Sequence, residues 1–486
     1  MDLHFLSRSI VLLLFMFFSW GSYTQAQSSK AGAKSRAIQF IEKKKEELIT
    51  LSDSIWNLAE PSYAEVKSSR LLIEYLKKEG FTIQENISGF QTAFIASYGE
   101  YKPVIGLYGE YDADPDASNK VVPRKEEIGP GKYGHGGGHN LLGVGSIGAA
   151  LAIKDLIERK KLKCTIRYYG TTAEGKLGSK TYLARDGFFD DLDLSLYWHP
   201  APVTAASTAP WDALIDFEIT FAGQKRNITQ NNESSPTTTE GLELLINELH
   251  ALRSITSKGI KLNYNVTQSA HSLNETPDSI NITVRVQCAK QSDANQLFEK
   301  ISAGVDKIED QSKMQTNLRV IRAMHQFLPN VTAMETVNRN LQLLGPMHYT
   351  EEEIEFVKEL QQHLGVPTEG ILDKVIPFSD QSGRESVYGY ASDIGDASWI
   401  APEIYFVVKS LPSVPMHQWP GTIFTGHSIG HKGMIQASKT LAMTIIDYLE
   451  NPVLRQNIRQ DFERRRKSYR YRSFLPDSPP THNKIN

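Results

Sequence analysis

Residues 134–176 read GHGGGHNLLGVGSIGAALAIKDLIERKKLKCTIRYYGTTAEGK, and their reading decides the fold. From Asn140 to Glu158 the run suits a long helix with small residues, Gly143, Gly145, Gly148 and Ala149, on one face. Thr165-Ile-Arg-Tyr-Tyr169 is then a β-branched and aromatic run that reads as a strand. A helix feeding a strand in this way is the rhythm of a βαβ unit and a largely parallel sheet.

Working outward, the alternation continues on both sides. Upstream, Ile38, Ile41, Leu48, Leu51, Ile55 and Leu58 recur at helical spacing, a second helix is expected around Leu71 to Lys78, and Pro103 to Tyr108 reads as a strand. Near Ala213 the rhythm changes. Leu214 to Phe221 alternates at period two, followed by a helix at Thr239 to Arg253, strands at Lys261 to Gln268 and Ser279 to Gln287, and a helix at Ala294 to Ile308. That β-α-β-β-α order describes an α+β module. After Pro329 the α/β character returns, with helices at Thr350 to Leu364 and Gly433 to Glu450. The expected fold class is therefore α/β: a mainly parallel sheet at 35–212 and 329–454, interrupted by an inserted α+β module at 213–328. The basic and Pro-rich tail at 455–486 is expected to be a solvated extension.

The 486 residues are 40% hydrophobic and 22% charged, an ordinary globular composition with room for a large core. A net charge of −3 provides no footprint for nucleic acid, which demands clustered excess Lys and Arg. Arg8, the apolar run Ile10 to Phe18 and the small residues up to Ala26 follow the order of a secretory signal, so residues 1–26 are expected to be a cleaved leader and the protein secreted or periplasmic. That run falls short of the roughly 20 residues that span a bilayer, and no later segment is expected to be long enough for stable membrane insertion. The two cysteines, Cys164 and Cys288, each sit in a β-like run where small buried thiols are common, which excludes a disulfide framework.

Three clusters follow predicted strands, where α/β sheets present their ligands. Gly109-Glu110-Tyr111-Asp112-Ala113-Asp114-Pro115 precedes the loop Gly134 to Asn140. Gly170-Thr-Thr-Ala-Glu174-Gly175-Lys176 precedes Trp198-His199-Pro200, and Asp393-Ile-Gly-Asp396 precedes Pro415-Met-His417 and Gly426-His427. Imidazoles and carboxylates so distributed can converge on a divalent metal, with a Glu left to act on its water. His139, His199 and His417 lie at element edges of the same α/β unit. His427 and His431 precede the last helix, where capping and packing explain them, and His135 stays open.

The runs GEYDADP, GHGGGHNLLG, GTTAEGKLGSKTYLARDGFFDDLDLSLYWHP, SDIGDASW and GHSIGHKGM resemble the dinuclear-metal aminoacylase and carboxypeptidase family (metallopeptidase family twenty), in its aminobenzoyl-glutamate and N-acyl amino acid amidohydrolase branch. The resemblance covers nearly all of the chain up to about residue 450, including the inserted module, which in the family is a lid and dimerisation domain. It implies a metallopeptidase-type catalytic domain, hydrolysis of amide bonds to amino acids, one or two divalent ions (zinc, manganese or cobalt) and a homodimer. It further implies His139, His199 and His417 as metal ligands, Glu174 as the general base acting on the metal's water, Asp112 as support of the metal site, and Asn274 as a residue reaching the substrate.

The chain departs from the family at three positions. Gly137 stands where the family has a ligating Cys, Gly175 where it has a ligating Glu, and Asn227 where it has a His that stabilises the tetrahedral intermediate. Glycine has no donor atom, so these are losses rather than conservative exchanges. Glu110, Asp114, which replaces the family's usual Leu, and His135 are the nearby candidates for substitute ligands. Two functions follow: an exported amidohydrolase with a rebuilt metal site, and a catalytically impaired member that binds a small amino-acid conjugate without turnover.

Overall fold

The computed structural model describes residues 32–477 except 130, 177, 224–225, 228–236, 257–258, 269–274, 313 and 385–388. The expected leader at 1–26 lies outside the described residues. A seven-stranded sheet forms the larger unit, in the spatial order Thr82–Glu85, Phe94–Tyr98, Thr165–Gly170, Val104–Gly109, Leu194–Ala201, Glu403–Lys409 and Ala205–Ala206. The four strands from Thr165–Gly170 to Glu403–Lys409 pair in parallel, and the outer pairings are antiparallel. Val104–Gly109 is buried at every position, as a strand covered on both faces must be.

The helix His139–Glu158 lies against this sheet and against the long helix Ser428–Glu450. Its small residues are required by that closeness: a Cβ on Gly145 would stand 2.6 Å from the Trp198 ring, and one on Gly143 2.7 Å from the Glu110 carbonyl oxygen. One expectation is corrected here. This helix has the length and apolarity to cross a membrane, but it is the central core helix, and its burial explains its composition.

The inserted module is a four-stranded antiparallel sheet in the order Gln315–Met324, Ala213–Ala222, Ser279–Cys288 and Lys261–Gln268, packed with helices Thr238–Ile255 and Gln291–Ser312. Its strand Ser279–Cys288 alternates buried and half-buried residues over most of its length, which is the period-two pattern seen in the sequence. The sequence reading missed the strand Gln315–Met324, which lies beside Ala213–Ala222 and completes the sheet. Arg322 on that strand ties module to catalytic unit, its Nη1 donating to the Lys176 carbonyl at 3.0 Å. Both cysteines are buried and free.

The expected solvated tail is also corrected over 455–477, its remainder lying outside the described residues. Pro452–Arg466 is a helix that buries Leu454, Ile458 and Phe462, and the segment after it packs down, with Leu475 buried. The Tyr471 hydroxyl donates to Asp396 Oδ1 at 2.8 Å, so apolar and polar contacts together hold this basic stretch.

Candidate metal centre

The carboxyl ends of the parallel strands converge at one edge of the sheet. Val104–Gly109 leads directly into Glu110 and Asp112, Thr165–Gly170 leads to Glu174, and His199 lies near the end of Leu194–Ala201. His139 opens its helix behind Gly138, whose φ of 83° falls in the left-handed region that glycine tolerates. A Cβ on Gly138 would lie 2.9 Å from the Pro200 ring, so the tight loop sets His139 beside His199.

The three imidazoles expected as ligands meet. Ring centroids lie 5.8 Å apart for His139 and His199, and 6.5 Å for His417 with each of the others. His417 reaches this place with a φ of 57°, an uncommon conformation for a residue with a Cβ. Each ring uses Nδ1 in the same way: His139 bonds Asp112 Oδ1 at 2.8 Å, His199 the Pro200 carbonyl at 2.7 Å, and His417 Asp114 Oδ1 at 3.1 Å. In the neutral ring, a proton on Nδ1 donated outward leaves the Nε2 lone pair for a metal, which is how metal-binding imidazoles are oriented. Glu110, His139 and His199 offer donor atoms within 4.8 Å of one another, a group that does not include His417.

A divalent ion fits this donor set on one observation in particular. His139 Nε2 is buried 3.1 Å from Glu110 Oε2, yet it makes no aligned hydrogen bond. A buried nitrogen with no aligned donor, facing a carboxylate and a second imidazole, has the surroundings of a metal ligand.

Electrostatics follow the same geometry. Burial opposes a charged His139 ring, but Asp112 and Glu110 outweigh it and hold its pKa well above the ordinary imidazole value. Burial, with the His139 charge adding to it, pulls His199 down to about 3, so it stays neutral. Burial and the neighbouring Glu110 charge raise Glu174, whose Oε1 accepts from Ser392 Oγ at 3.2 Å. A raised carboxyl within reach of a metal site suits a group that takes up and gives back a proton.

Asp112 is nearly fully buried, and its second oxygen accepts from Ser62 Oγ at 2.7 Å and the Gly175 N–H at 3.2 Å. Of the substitute ligands considered, Glu110 joins the cluster, whereas His135 turns away. His135 Nε2 meets the Ile55 carbonyl at 3.2 Å, and burial pulls the ring to about 4. His427 caps the helix Ser428–Glu450 and His431 pairs with Asp53, both structural. Asn274 lies outside the described residues, and Asn227 is placed only by its backbone pairing with Glu275.

Sequence reasoning missed Lys180. It is fully buried, with Nζ 2.6 Å from Glu110 Oε1 and 2.7 Å from Asp393 Oδ1. No sequence signal singled it out, because a lysine in Gly178-Ser-Lys180-Thr-Tyr-Leu183 reads as an ordinary solvated residue.

No protein-family model matches the chain. It is 26% identical over 461 residues to one of the subunits of the p-aminobenzoyl-glutamate hydrolase of Escherichia coli, covering 90% of this chain and 96% of that one. Its fold is shared with an aminobenzoyl-glutamate utilization protein from Klebsiella pneumoniae (TM-score 0.58, 14% identity, 84% of this chain and 97% of that one). It is shared also with a dinuclear metal binding peptidase of the M20 family from Bacillus subtilis (TM-score 0.55, 16% identity, 84% and 99%). These likenesses bear out the resemblance read from the motifs. On these likenesses the chain is similar to metal-dependent amidohydrolases of the dinuclear-metal aminoacylase and carboxypeptidase family.

Proposed function

We propose that the protein is an exported amidohydrolase that cleaves the amide between an acyl or aryl-acyl group and an amino acid, aminobenzoyl-glutamate and similar conjugates included. One observation carries this reading: three imidazoles, each anchored through Nδ1 to an oxygen, face one another beside Glu174. A divalent ion held by these rings would polarise the scissile carbonyl and lower the pKa of the attacking water. Glu174 is the general base; it receives the water's proton and returns it to the departing amine, and its raised pKa suits both transfers. Asp112 keeps the His139 ring in place through Nδ1. Asn274 and the inserted module would contact the substrate and pair two copies of the chain, and the leader would direct it to the periplasm or outside.

The competing reading, binding without turnover, is motivated by Gly137 and Gly175, which remove two donors. Purified mature protein, supplied in turn with zinc, manganese and cobalt, separates the two on a panel of N-acyl and aminobenzoyl amino acids. Hydrolysis that falls about 10²–10⁴-fold in Glu174→Gln, with metal retained, supports the enzyme. Tight binding of a conjugate with no release of amino acid supports the alternative.

A further inference from the structure

The two glycines that replace family ligands have different surroundings. At Gly137 the space is taken: a Cβ would stand 2.6 Å from Cε1 and 2.8 Å from Nδ1 of His417. No side chain at 137 coexists with His417 where it now lies. Asp114 fixes that arrangement, because its Oδ1 accepts from His417 Nδ1 at 3.1 Å and its Oδ2 accepts from the Gly137 N–H at 2.8 Å. The carboxylate at a usual leucine position therefore ties the imidazole to the backbone of the position that lost its side chain. At Gly175 the space is open, with only Asp112 Oδ2 at 3.7 Å and Ser62 Oγ at 3.8 Å from a Cβ, and no group among the described residues enters to replace the missing carboxylate.

On the other side of the cluster, Glu110 has its two oxygens committed in opposite directions, one toward His139 Nε2 at 3.1 Å and one to the Lys180 ammonium at 2.6 Å. Lys180 is held in turn by Asp393, through its Nζ at 2.7 Å and its backbone N–H at 3.0 Å. A fixed positive charge thus already neutralises one side of the only buried carboxylate that joins two of the imidazoles among the described residues.

From this geometry we propose that the centre is rebuilt around one divalent ion, ligated by Glu110, His139 and His199, with His417 held toward it by Asp114 in the space vacated at Gly137. Lys180 is a positioning residue that holds one oxygen of Glu110 and so aims the other, which also accepts from the Tyr197 hydroxyl at 3.4 Å, toward His139. The inference rests on the metal-dependent reading above and changes its stoichiometry and its ligand set.

The test is metal binding by the full mature protein, stripped by chelator and dialysed against zinc or cobalt. Elemental mass spectrometry reads stoichiometry, competition with a chromophoric chelator reads affinity, and the visible absorption of bound cobalt reads the ligand field. One equivalent is expected. Glu110→Gln and Asp114→Leu should each weaken binding by about 10–100-fold and alter the cobalt spectrum. Gly137→Cys should weaken it too, because the new side chain displaces His417 rather than adding a ligand. Circular dichroism of each metal-free variant establishes that it is folded, and Asp114→Leu, at the partly exposed end, serves if Glu110→Gln does not fold. Two equivalents in the unaltered protein would overturn the one-ion centre and leave the amidohydrolase reading standing. No metal at all would overturn both. Asp114→Leu with unchanged affinity and spectrum would remove Asp114 from the site, and a second equivalent in Gly137→Cys would overturn the filling of the space at 137 by His417.

Discussion

Two carboxylate–imidazole pairs arise from one short run, and they lie in opposite surroundings. Asp112 and His139 have side chains 3% and 6% exposed, whereas those of Asp114 and His417 are 24% and 50% exposed. The Nδ1–carboxylate contact is nearly the same in each, at 2.8 and 3.1 Å. At the buried end charges are linked so that removing one strands another: Asp112 with His139, Glu110 with Lys180, and Lys180 with Asp393. At the open end water can solvate either partner, so the pair orients a ring without holding the fold. The buried end is scaffold and site together; the open end is site alone.

The largest test of that contrast is Lys180→Met. It leaves Glu110 and Asp393, both fully buried, without their shared cation, and breaking such a pair from one side costs about 3–5 kcal/mol. The urea-unfolding midpoint of the metal-free protein should fall accordingly, while Asp114→Leu should move it by less than about 1 kcal/mol. Equal shifts for the two variants would break the distinction between the ends.

A second test sharpens it through pH. Glu65 lies under the loop that carries Glu174; its Oε1 accepts from the Ala173 N–H at 2.9 Å and its Oε2 from Thr92 Oγ1 at 3.1 Å. Burial, with the Asp112 charge adding, raises its carboxyl from 4.5 to about 7. Between those values the unfolded chain binds fewer protons than the folded one, so stability falls as pH rises from about 4.5 to about 7. The loss is on the order of 3 kcal/mol for this group. Glu65→Gln, which keeps an acceptor for Ala173, should flatten that segment of the stability curve and leave the protein more stable at pH 8. An unchanged slope would mean that the buried end carries no such penalty.

The same contrast explains what the sequence made legible. Strands buried on both faces, such as Val104–Gly109, and the glycine-lined helix His139–Glu158 have composition that only a parallel α/β core requires, so the architecture could be read directly. The three histidines could be read because each sits at an element edge. Their convergence could not, because it depends on the close approach of Gly138 to Pro200 across the sheet edge. Lys180 was hidden because a lone lysine is ordinarily solvated, and its role exists only where Glu110 and Asp393 enclose it. Gly137 read as a loss because a sequence shows the missing donor and not the imidazole that fills its place. The tail was misjudged for a related reason: its Arg-rich composition suits solvent, while Leu454, Ile458, Phe462 and Leu475, spaced among the charges, supply the apolar contacts that dock it.

That docked tail provides the smallest test, and it approaches the buried end from outside. Asp396 lies in the short helix Ile394–Ala397, directly after the Asp393 that holds Lys180. It accepts from Tyr471 at 2.8 Å and from the His325 backbone N–H at 3.0 Å, and its Oδ1 pairs with His325 Nδ1 at 3.0 Å. Tyr471→Phe removes one of these bonds and keeps the ring that packs 4.9 Å from His325. Because His325 still satisfies Asp396, the expected cost is about 1 kcal/mol, read as a small drop in the unfolding midpoint. Metal stoichiometry should not change, since neither Asp393 nor Lys180 loses a partner. A variant that folds normally but binds metal more weakly would show that the tail sets the position of Asp393, and the buried end would then extend from the candidate metal ligands through the short helix to the docked tail.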